Sequence, residues 1–595
     1  MRLPQCTPCL KSTTHVVDGP CDYEDNRTKV QLLERDVLRL EARLKELEQP
    51  QCLGTVKLNK PYTKKEEPDA TFKACMIANG PAHLLNVFDP SSNEDVPLEL
   101  SHFLCVIWSL SQRDADDFTC RVDAFLPHAC DFGFFLHMDR FRQSALIPLE
   151  DPTARLSRPT RGLLSAIHVL GLRLSGTGPT TPQEEARIAA YLTRAINDVT
   201  KMMVTESAHP FVVVQNIQAE LLLATFLFCH GRLLEGQYHL TTAISLAIGA
   251  RLHKIRSSRD KATAGSPFSL APSDDPVIEG ERINAFWMVF TLSNCWDATV
   301  DSSTSLIAVF GDGNMEVDVP WPMCMPEYDQ GGFPPGLQGT WTVQRFLTQA
   351  PPEPSKNECG ELAMYAKASV LFKRARKMET HLQRGQEIPD SPTNRVLCAL
   401  LDSFVATLPA LKGRIIHFSH PELAFPYNAI GEECSTIGMQ LTTLTLAYSS
   451  MIHLYSFNFE TDAFSMKKSL EAAKACIEAL KNPEVRMYFK RSSRINPGFG
   501  CLWETVCGVL LKWMKISRTI AGFKCSDSML GISEDEVVEL LEVIMGVMHS
   551  YAWRSPILSE HNLVAFLTHS QVEPGNALEK VRKMYQELPP SSIQP

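Results

Sequence analysis

The first regular pattern in the chain is a heptad repeat within residues 29–49. Six apolar residues recur at alternating spacings of three and four, so they share one seam of a supercoiled helix with about 3.5 residues per turn. They are Val30, Leu33, Val37, Leu40, Leu44 and Leu47. Valine occupies two of the three first (a) positions of the heptads, and leucine occupies all three fourth (d) positions. This combination favours a parallel two-stranded coil. A helix this short is marginal alone, so we expect a homodimer; an amphipathic helix packed on its own domain is the alternative.

A helical period continues from about residue 70 almost to the end of the chain, and strand alternation is scarce. The clearest predicted helices are Ile217 to Cys229, Leu234 to Ala250, Leu362 to Gln383, Asn394 to Leu411, Thr436 to His453, Phe464 to Leu480, Cys501 to Ser517 and Glu534 to Tyr551. Gly231 lies between the first two, where a helix-ending glycine belongs. The pattern predicts an all-α fold.

Two apolar segments of the middle region indicate buried helices. The window from Phe211 to Cys229 is the most apolar in the chain, but it contains Gln215, Asn216, Gln218 and Glu220. We therefore expect a core helix and no membrane span. In the second segment, Ile283, Phe286, Trp287, Phe290 and Trp296 fall largely on one helical face.

Composition and charge limit the classes of function. Of the 595 residues, 44% are hydrophobic and 21% are charged, which is ordinary for globular proteins, and the length calls for more than one globular part. The formal net charge of −10 argues against a nucleic-acid surface along the whole chain, so any DNA contact must be local. The 18 cysteines are scattered, which fits a reducing compartment.

Three cysteines upstream of the heptads have spacings typical of a zinc site. Cys6 and Cys9 form a CxxC, which lets two thiolates bind one tetrahedral zinc, and the polar run that follows could loop back to bring in Cys21. We therefore predict Cys6, Cys9 and Cys21 as Zn²⁺ ligands. His128, Cys130 and His137 could also be imagined as ligands, but core or partly buried histidines explain them better because no acidic partners are placed nearby.

The segment from Cys6 to Leu47 resembles the second half of the fungal binuclear zinc cluster, in which six cysteines hold two zinc ions and a coiled coil follows. The three cysteines match the fourth, fifth and sixth ligands of that family. Eleven residues separate Cys9 from Cys21, more than the family's usual gap, and no first CxxC precedes them. Either upstream coding sequence carries the missing half, which we favour, or the protein has lost its DNA reader.

A second resemblance covers roughly residues 100–350. The pieces VDAFLPHACDFGFFLH, the hairpin from Glu220 to His253, GERINAFW, WDATVD and VDVPWPM occur in the order seen in the regulatory, or middle homology, domain of fungal transcription factors. The resemblance implies a helical body that regulates a DNA-binding head, sometimes in response to a small molecule. It also implies a nuclear protein that binds DNA, with Arg27 and Lys29 contacting phosphates; ordinary solvation is the alternative for these two residues.

The expected organisation has six parts. They are a partial zinc-cluster segment (1–28), a coiled-coil helix (29–49), a flexible linker (50–69), the helical regulatory domain (70–350), a C-terminal helical region packed on it (351–587) and a disordered tail (588–595). No P-loop, dinucleotide fingerprint, HExxH or GxSxG motif is present, and carboxylate pairs such as Asp274 and Asp275 fit solvated loops, so an enzyme is not predicted.

Three functions remain open at this point. The first is a dimeric transcription factor that binds specific DNA sequences and contacts the transcription machinery. The second is a regulator without a DNA-reading head, which dimerises with partners through the heptad helix. The third is a helical ligand-sensing scaffold unrelated to DNA.

Overall fold

The computed structural model describes residues 119–147, 156–175, 181–259, 270–271, 273–299, 316–348, 360–412, 415–417, 433–491, 498–520 and 532–552. All of them belong to one compact unit, Asp95–Pro595. The predicted zinc ligands, the predicted phosphate contacts and the heptad helix lie outside the described residues.

The first half of the described chain begins with a helical turn over 119–125 that runs into a 3-10 helix, Leu126–Phe132. Eight α-helices follow. They are α1 (Met138–Ala145), α2 (Arg161–Leu174), α3 (Pro182–Thr205), α4 (Val212–Cys229), α5 (Leu233–Gly249), α6 (Pro276–Thr299), α7 (Met325–Gly331) and α8 (Thr342–Thr348), with a short 3-10 turn, Leu252–Lys254, after α5.

The second half contains seven α-helices and two short strands. They are α9 (Glu361–Gln383), α10 (Pro392–Ala406), β1 (Ile415–His417), β2 (Glu433–Ser435), α11 (Ile437–Tyr455), α12 (Ala463–Leu480), α13 (Pro483–Arg491), α14 (Phe499–Ile520) and α15 (Glu534–Ala552). The strands pair antiparallel, Ile415 with Ser435 and His417 with Glu433. This three-residue ribbon apart, the described residues are helical and irregular, which confirms the predicted all-α class.

Local sequence signals explain where several helices begin and end. Thr181 and Glu184 form a reciprocal capping box at the start of α3. Gly231 has φ +71° between α4 and α5, and the Arg232 N–H bonds the Leu227 carbonyl, as expected of a glycine that ends a helix. Helix α10 ends at Ala406, five residues before the predicted end, because Pro409 disfavours helical backbone in the residue before it.

Two hydrophobic cores hold the helices together. The first is built from α1 to α6 and the 3-10 helix, and the second from α9 to α15. The boundary between them is shared: Ala366 and Val370 of α9 belong to the first core, while Leu362 and Met439 are half-buried against both. Helix α9 packs on α6 and α11, so it is the element through which the two cores meet.

Helix α4 lies at the centre of the first core, packed against α2, α3, α5 and α6. By length and composition alone it could cross a membrane, yet 89% of its apolar window is buried inside the protein. The expected core helix is therefore observed, beginning at Val212, five residues before the predicted start and just after Pro210.

Candidate functional site

The 3-10 helix Leu126–Phe132 is fixed to the centre of the first core by one buried amide. Gln218 of α4, fully buried, accepts a hydrogen bond from the Phe135 N–H (2.8 Å) and donates one to the Gly133 carbonyl (3.2 Å). Gly133 has φ +73°, a conformation that glycine adopts without strain, and it ends the 3-10 helix. Gln218 therefore sets the position of the 3-10 helix relative to α4.

Three buried polar residues of α4, Gln215, Gln218 and Glu220, find their hydrogen-bond partners in neighbouring elements. Glu220 and His239 of α5, both nearly inaccessible, are joined by a 2.6 Å contact between Glu220 Oε2 and His239 Nδ1. Gln215 accepts a hydrogen bond from the Thr160 N–H at the start of α2. These interactions fix how α2 and α5 sit on α4, since a buried polar group left without its partner is costly.

Asp318 joins three segments after α5 and α6. Its carboxylate lies 2.9 Å from Lys254 Nζ and accepts hydrogen bonds from the Ser257 hydroxyl and the Trp341 N–H. Burial opposes ionisation of this fully buried side chain, but these hydrogen bonds and Lys254 outweigh it and lower the pKa of Asp318 below its usual value. The extended segment VDVPWPM is thereby held beside the end of α5.

Trp287 of α6 anchors the same segment from the core side. Its indole N–H donates to the Pro320 carbonyl (2.7 Å), and its ring stacks on Trp321 with 4.3 Å between ring centroids. Ile283, Phe286, Phe290 and Trp296 are buried as predicted. The prediction of a single apolar face was incomplete, because Asn284, Thr291, Ser293 and Asn294 on other faces of α6 are buried too.

A charged cluster lies between the first turn of α1 and the start of α6. Glu281 Oε1 accepts a hydrogen bond from the His137 N–H (2.8 Å), and Arg140 forms ion pairs with Asp275 and Asp329. Burial raises the pKa of Glu281 to about 7, against the opposing effects of the His137 hydrogen bond and of Arg140. Asp275, expected to be a solvated loop carboxylate, also caps α6 by accepting from the Val277 N–H.

The two cores meet at a cleft that combines apolar walls with a carboxylate. Asp131 Oδ1 of the 3-10 helix accepts a 2.9 Å hydrogen bond from the Tyr488 hydroxyl of α13. Gly438, near the start of α11, lies so close that an added Cβ would overlap both Asp131 Oδ1 and the Tyr488 hydroxyl. Glycine at this position is what allows α11 to approach the carboxylate.

The lining of the cleft comes from both halves of the described chain. It consists of Cys130, Asp131, Phe132, Gly133, Thr225, Met288, Leu292, Trp296, Tyr365, Gly438, Met439 and Thr442. The space free of protein atoms, counted into the solvent at the mouth, is about 420 Å³, and the part that water can enter is about 20 Å³. The enclosed part therefore has room for one water molecule.

The three residues considered as alternative metal ligands lie in different surroundings. His128 is half-buried, and burial lowers its pKa to about 4. His137 caps α1 by accepting the Arg140 N–H, and Cys130 lines the cleft. Over the described ranges, no group of three or more His, Cys, Asp or Glu side chains is placed to hold a metal ion.

Cys6, Cys9, Cys21, Arg27, Lys29 and the six seam residues cannot be placed, because they lie outside the described residues. The residues that sequence reasoning did not single out are Asp131, Asp318, Gly438 and Tyr488, and Gln218 was named only as a sign that α4 is a core helix. Gln218 carried a signal as a polar residue in an apolar helix. Asp131, Gly438 and Tyr488 are distant in sequence, and nothing in their local patterns connects them.

One comparison with known proteins gives a match. The family model described as the fungal specific transcription factor domain matches residues 127–300, from the 3-10 helix to the end of α6. No curated protein and no solved structure matches the chain. The matched residues lie within the region where the sequence resembles the regulatory domain, and the resemblance to that domain is thereby confirmed.

Proposed function

Because residues 127–300 carry a fungal specific transcription factor domain, we propose that this transcription regulator acts in the nucleus as a dimer that binds DNA. The matched family is one of transcription factors and not of enzymes. The observation that supports the proposal is the match to this domain, which lies downstream of a cysteine segment and a predicted heptad helix. In this arrangement the helical body regulates, the heptad seam joins two chains, and the zinc-ordered segment contacts DNA.

The roles proposed for the N-terminal residues follow from their chemistry. Cys6, Cys9 and Cys21 supply thiolates to Zn²⁺, which orders the segment before the coiled coil. Arg27 and Lys29, directly before the first heptad, would contact phosphates and contribute salt-dependent affinity. The coiled coil would set the spacing of two half-sites.

The test of DNA binding is the salt dependence of affinity for nonspecific duplex DNA, measured on the purified zinc-loaded chain. Because each phosphate contact contributes about 0.9 to the slope of log affinity against log salt, Arg27→Ala combined with Lys29→Ala should reduce that slope by about 2. Lys64→Ala with Lys65→Ala, which removes the same charge from the predicted linker, is the matched control. Equal slopes for both double variants would contradict the assigned contacts.

The second candidate is a regulator that dimerises without reading DNA. The observation that favours it is the gap of eleven residues between Cys9 and Cys21, which is longer than the usual gap in the family's cluster. Zinc content separates the two candidates, since a full cluster needs two zinc ions per chain. Deletion of residues 1–50 tests dimerisation in both, because both need the heptad helix for their partners, whereas a helical sensing scaffold would keep its partners.

A further inference from the structure

Helix α3 presents a long exposed face on the side away from the first core. Of its 24 residues, only Leu192, Ala195, Val199 and Met202 are buried, so the helix rests on the core along one narrow side. Six residues on the opposite side are exposed and recur at alternating spacings of four and three. They are Ala186, Ala190, Thr193, Asn197, Thr200 and Val204. Residues that face a neighbouring helix in a coiled coil have this spacing.

The exposed face is uncharged, and its side chains are small enough for another helix to approach closely. The hydroxyls of Thr193 and Thr200 each donate to the carbonyl four residues earlier in α3, so neither needs a partner outside the helix. Val204, which is 82% exposed, and Met203 add larger apolar groups near the end of α3. An amphipathic helix is the kind of partner that packs on such a face.

A row of basic residues borders one edge of the exposed face. Arg187, Arg194 and Lys201 follow one another at intervals of seven, and all three are exposed. They occupy the e positions of a heptad when the exposed face supplies the a and d positions. Arg194 lies 3.6 Å from Asp198, whereas Arg187 and Lys201 form no ion pair with any described residue. The row therefore favours a helix with carboxylates at the same intervals.

The predicted heptad helix of this protein has the complementary pattern. Its e positions are Glu34, Glu41 and Glu48, again at intervals of seven, and its seam consists of six large apolar residues. In an antiparallel pair of helices the e positions of one face the e positions of the other. The three glutamates then lie opposite the three basic residues, the first opposite Lys201 and the last opposite Arg187. Large seam residues meet the small residues of α3.

We propose that the exposed face of α3 binds the heptad helix of a second copy of this protein in the antiparallel orientation. Docking on α3 uses the same apolar seam as the parallel coil, so one heptad helix cannot make both contacts at once. The contact with α3 therefore competes with the dimer that binds DNA, and this regulatory role rests on the proposed function. Duplex DNA would also be attracted to a basic row, but it would gain nothing from the uncharged face beside it.

The test is fluorescence anisotropy of a labelled synthetic peptide, residues 29–49, titrated with the full chain carrying Leu40→Asp. This substitution disables the heptad seam of the receptor, which leaves α3 as the site for the peptide. We expect the peptide to bind. Charge reversal of α3 should weaken binding about tenfold or more, because three attractions become three repulsions. The reversed residues are Arg187→Glu, Arg194→Glu and Lys201→Glu. Absence of binding, or unchanged affinity after the reversal, would overturn the proposal.

A matched control reverses three exposed basic residues elsewhere on the protein and should leave the affinity unchanged. The control substitutions are Arg384→Glu, Arg395→Glu and Arg486→Glu. An equal loss of affinity in this control would contradict the assigned face.

A charge-reversed peptide tests the pairing directly and shows that the charge-reversed chain is folded. The peptide carries Glu34→Lys, Glu41→Lys and Glu48→Lys. It should bind the charge-reversed chain more tightly than it binds the chain with native α3. If circular dichroism shows a folded chain and the reversed peptide prefers native α3, the pairing is wrong.

The outcomes for α3 and for DNA binding can be told apart. Peptide binding that depends on α3, in a protein that does not bind DNA, would contradict only the proposed function. Normal DNA binding without peptide binding would contradict only the contact with α3. A charge reversal of α3 that weakens binding of duplex DNA and leaves peptide binding unchanged would make the basic row a DNA contact and overturn the proposal.

Discussion

At the scale of single residues, the structure depends on polar side chains placed inside the helical body. Gln218 and Asp318 form hydrogen bonds with residues far away in sequence, and Glu220 joins α4 to the next helix, α5. Such groups hold the elements in place, because a buried donor or acceptor that loses its partner lowers the stability of the fold by about 1–3 kcal/mol. Substitutions at two further positions, Glu281 and Gly438, should change the free energy of unfolding measurably.

Glu281 predicts a pH dependence of stability. Its pKa is raised from 4.5 to about 7 in the folded protein, so the folded state holds a proton that the unfolded state has lost between these pH values. The contribution of Glu281 to stability therefore decreases as the pH rises from about 4.5 to 7. A difference of one pH unit between the folded and unfolded pKa corresponds to about 1.4 kcal/mol. Glu281→Gln should therefore raise the free energy of unfolding at pH 8 by about 1–3 kcal/mol.

The measurement is urea unfolding of both proteins at pH 5 and pH 8. The groups around Glu281 that could modify the result are His137, Arg140, Asp275 and Arg282. Glu484→Gln, an exposed residue in α13, is the control and should show no such difference. A stabilisation that is the same at both pH values would show that ionisation of Glu281 is not its cause.

Gly438 predicts a steric effect at the cleft. Gly438→Ala places a Cβ against Asp131 Oδ1 and the Tyr488 hydroxyl, which should break their hydrogen bond and lower the free energy of unfolding by about 1–3 kcal/mol. Gly546→Ala is the matched control, since a Cβ at this position of α15 meets nothing within 4 Å. It should be neutral or stabilising because alanine is the better helix former. The measurement is the free energy of chemical unfolding of both variants. An equal change in the two variants would contradict the close approach of Gly438 to Asp131 and Tyr488.

At the scale of elements, most helices of the second half were predictable because their apolar periods are long and uninterrupted. The predicted Phe464 to Leu480 and Leu362 to Gln383 each begin one residue after the observed start. Helix boundaries were less predictable where a nearby proline sets them, as at the start of α4 and the end of α10. The buried polar stripe of α6 could not be predicted, because it depends on contacts with α9 such as the one between Asn294 and Ser369.

The heptad helix makes a prediction for assembly. Leu40→Asp places a charge in the proposed seam and should convert a dimer to a monomer, because an unpaired buried charge is strongly unfavourable. Ala42→Asp makes the same change on the outer face of the same helix and should leave the dimer intact. Sedimentation velocity of the full chain distinguishes these outcomes. Two dimeric variants, or two monomeric ones, would contradict the assigned seam.

At the scale of the whole molecule, the fold class and the resemblance to the regulatory domain were both predicted from the sequence, and both are confirmed. The cleft between the cores could not be predicted from the sequence, because Asp131, Gly438 and Tyr488 come together only through the packing of α11 and α13 on the 3-10 helix. The zinc ligands, the phosphate contacts, the dimer seam and the nuclear location stay predictions. The six-part division of the chain stays one as well.

The central claim is that this regulator occupies specific DNA sites through a zinc-ordered segment at its N-terminus. Chromatin immunoprecipitation followed by sequencing, on the protein tagged at the C-terminus in its own gene, tests it most directly. We expect discrete peaks that share a sequence motif, and we expect these peaks to be lost in Cys9→Ser at unchanged protein level. Absence of discrete peaks for the wild type, or the same peaks in Cys9→Ser, would contradict it.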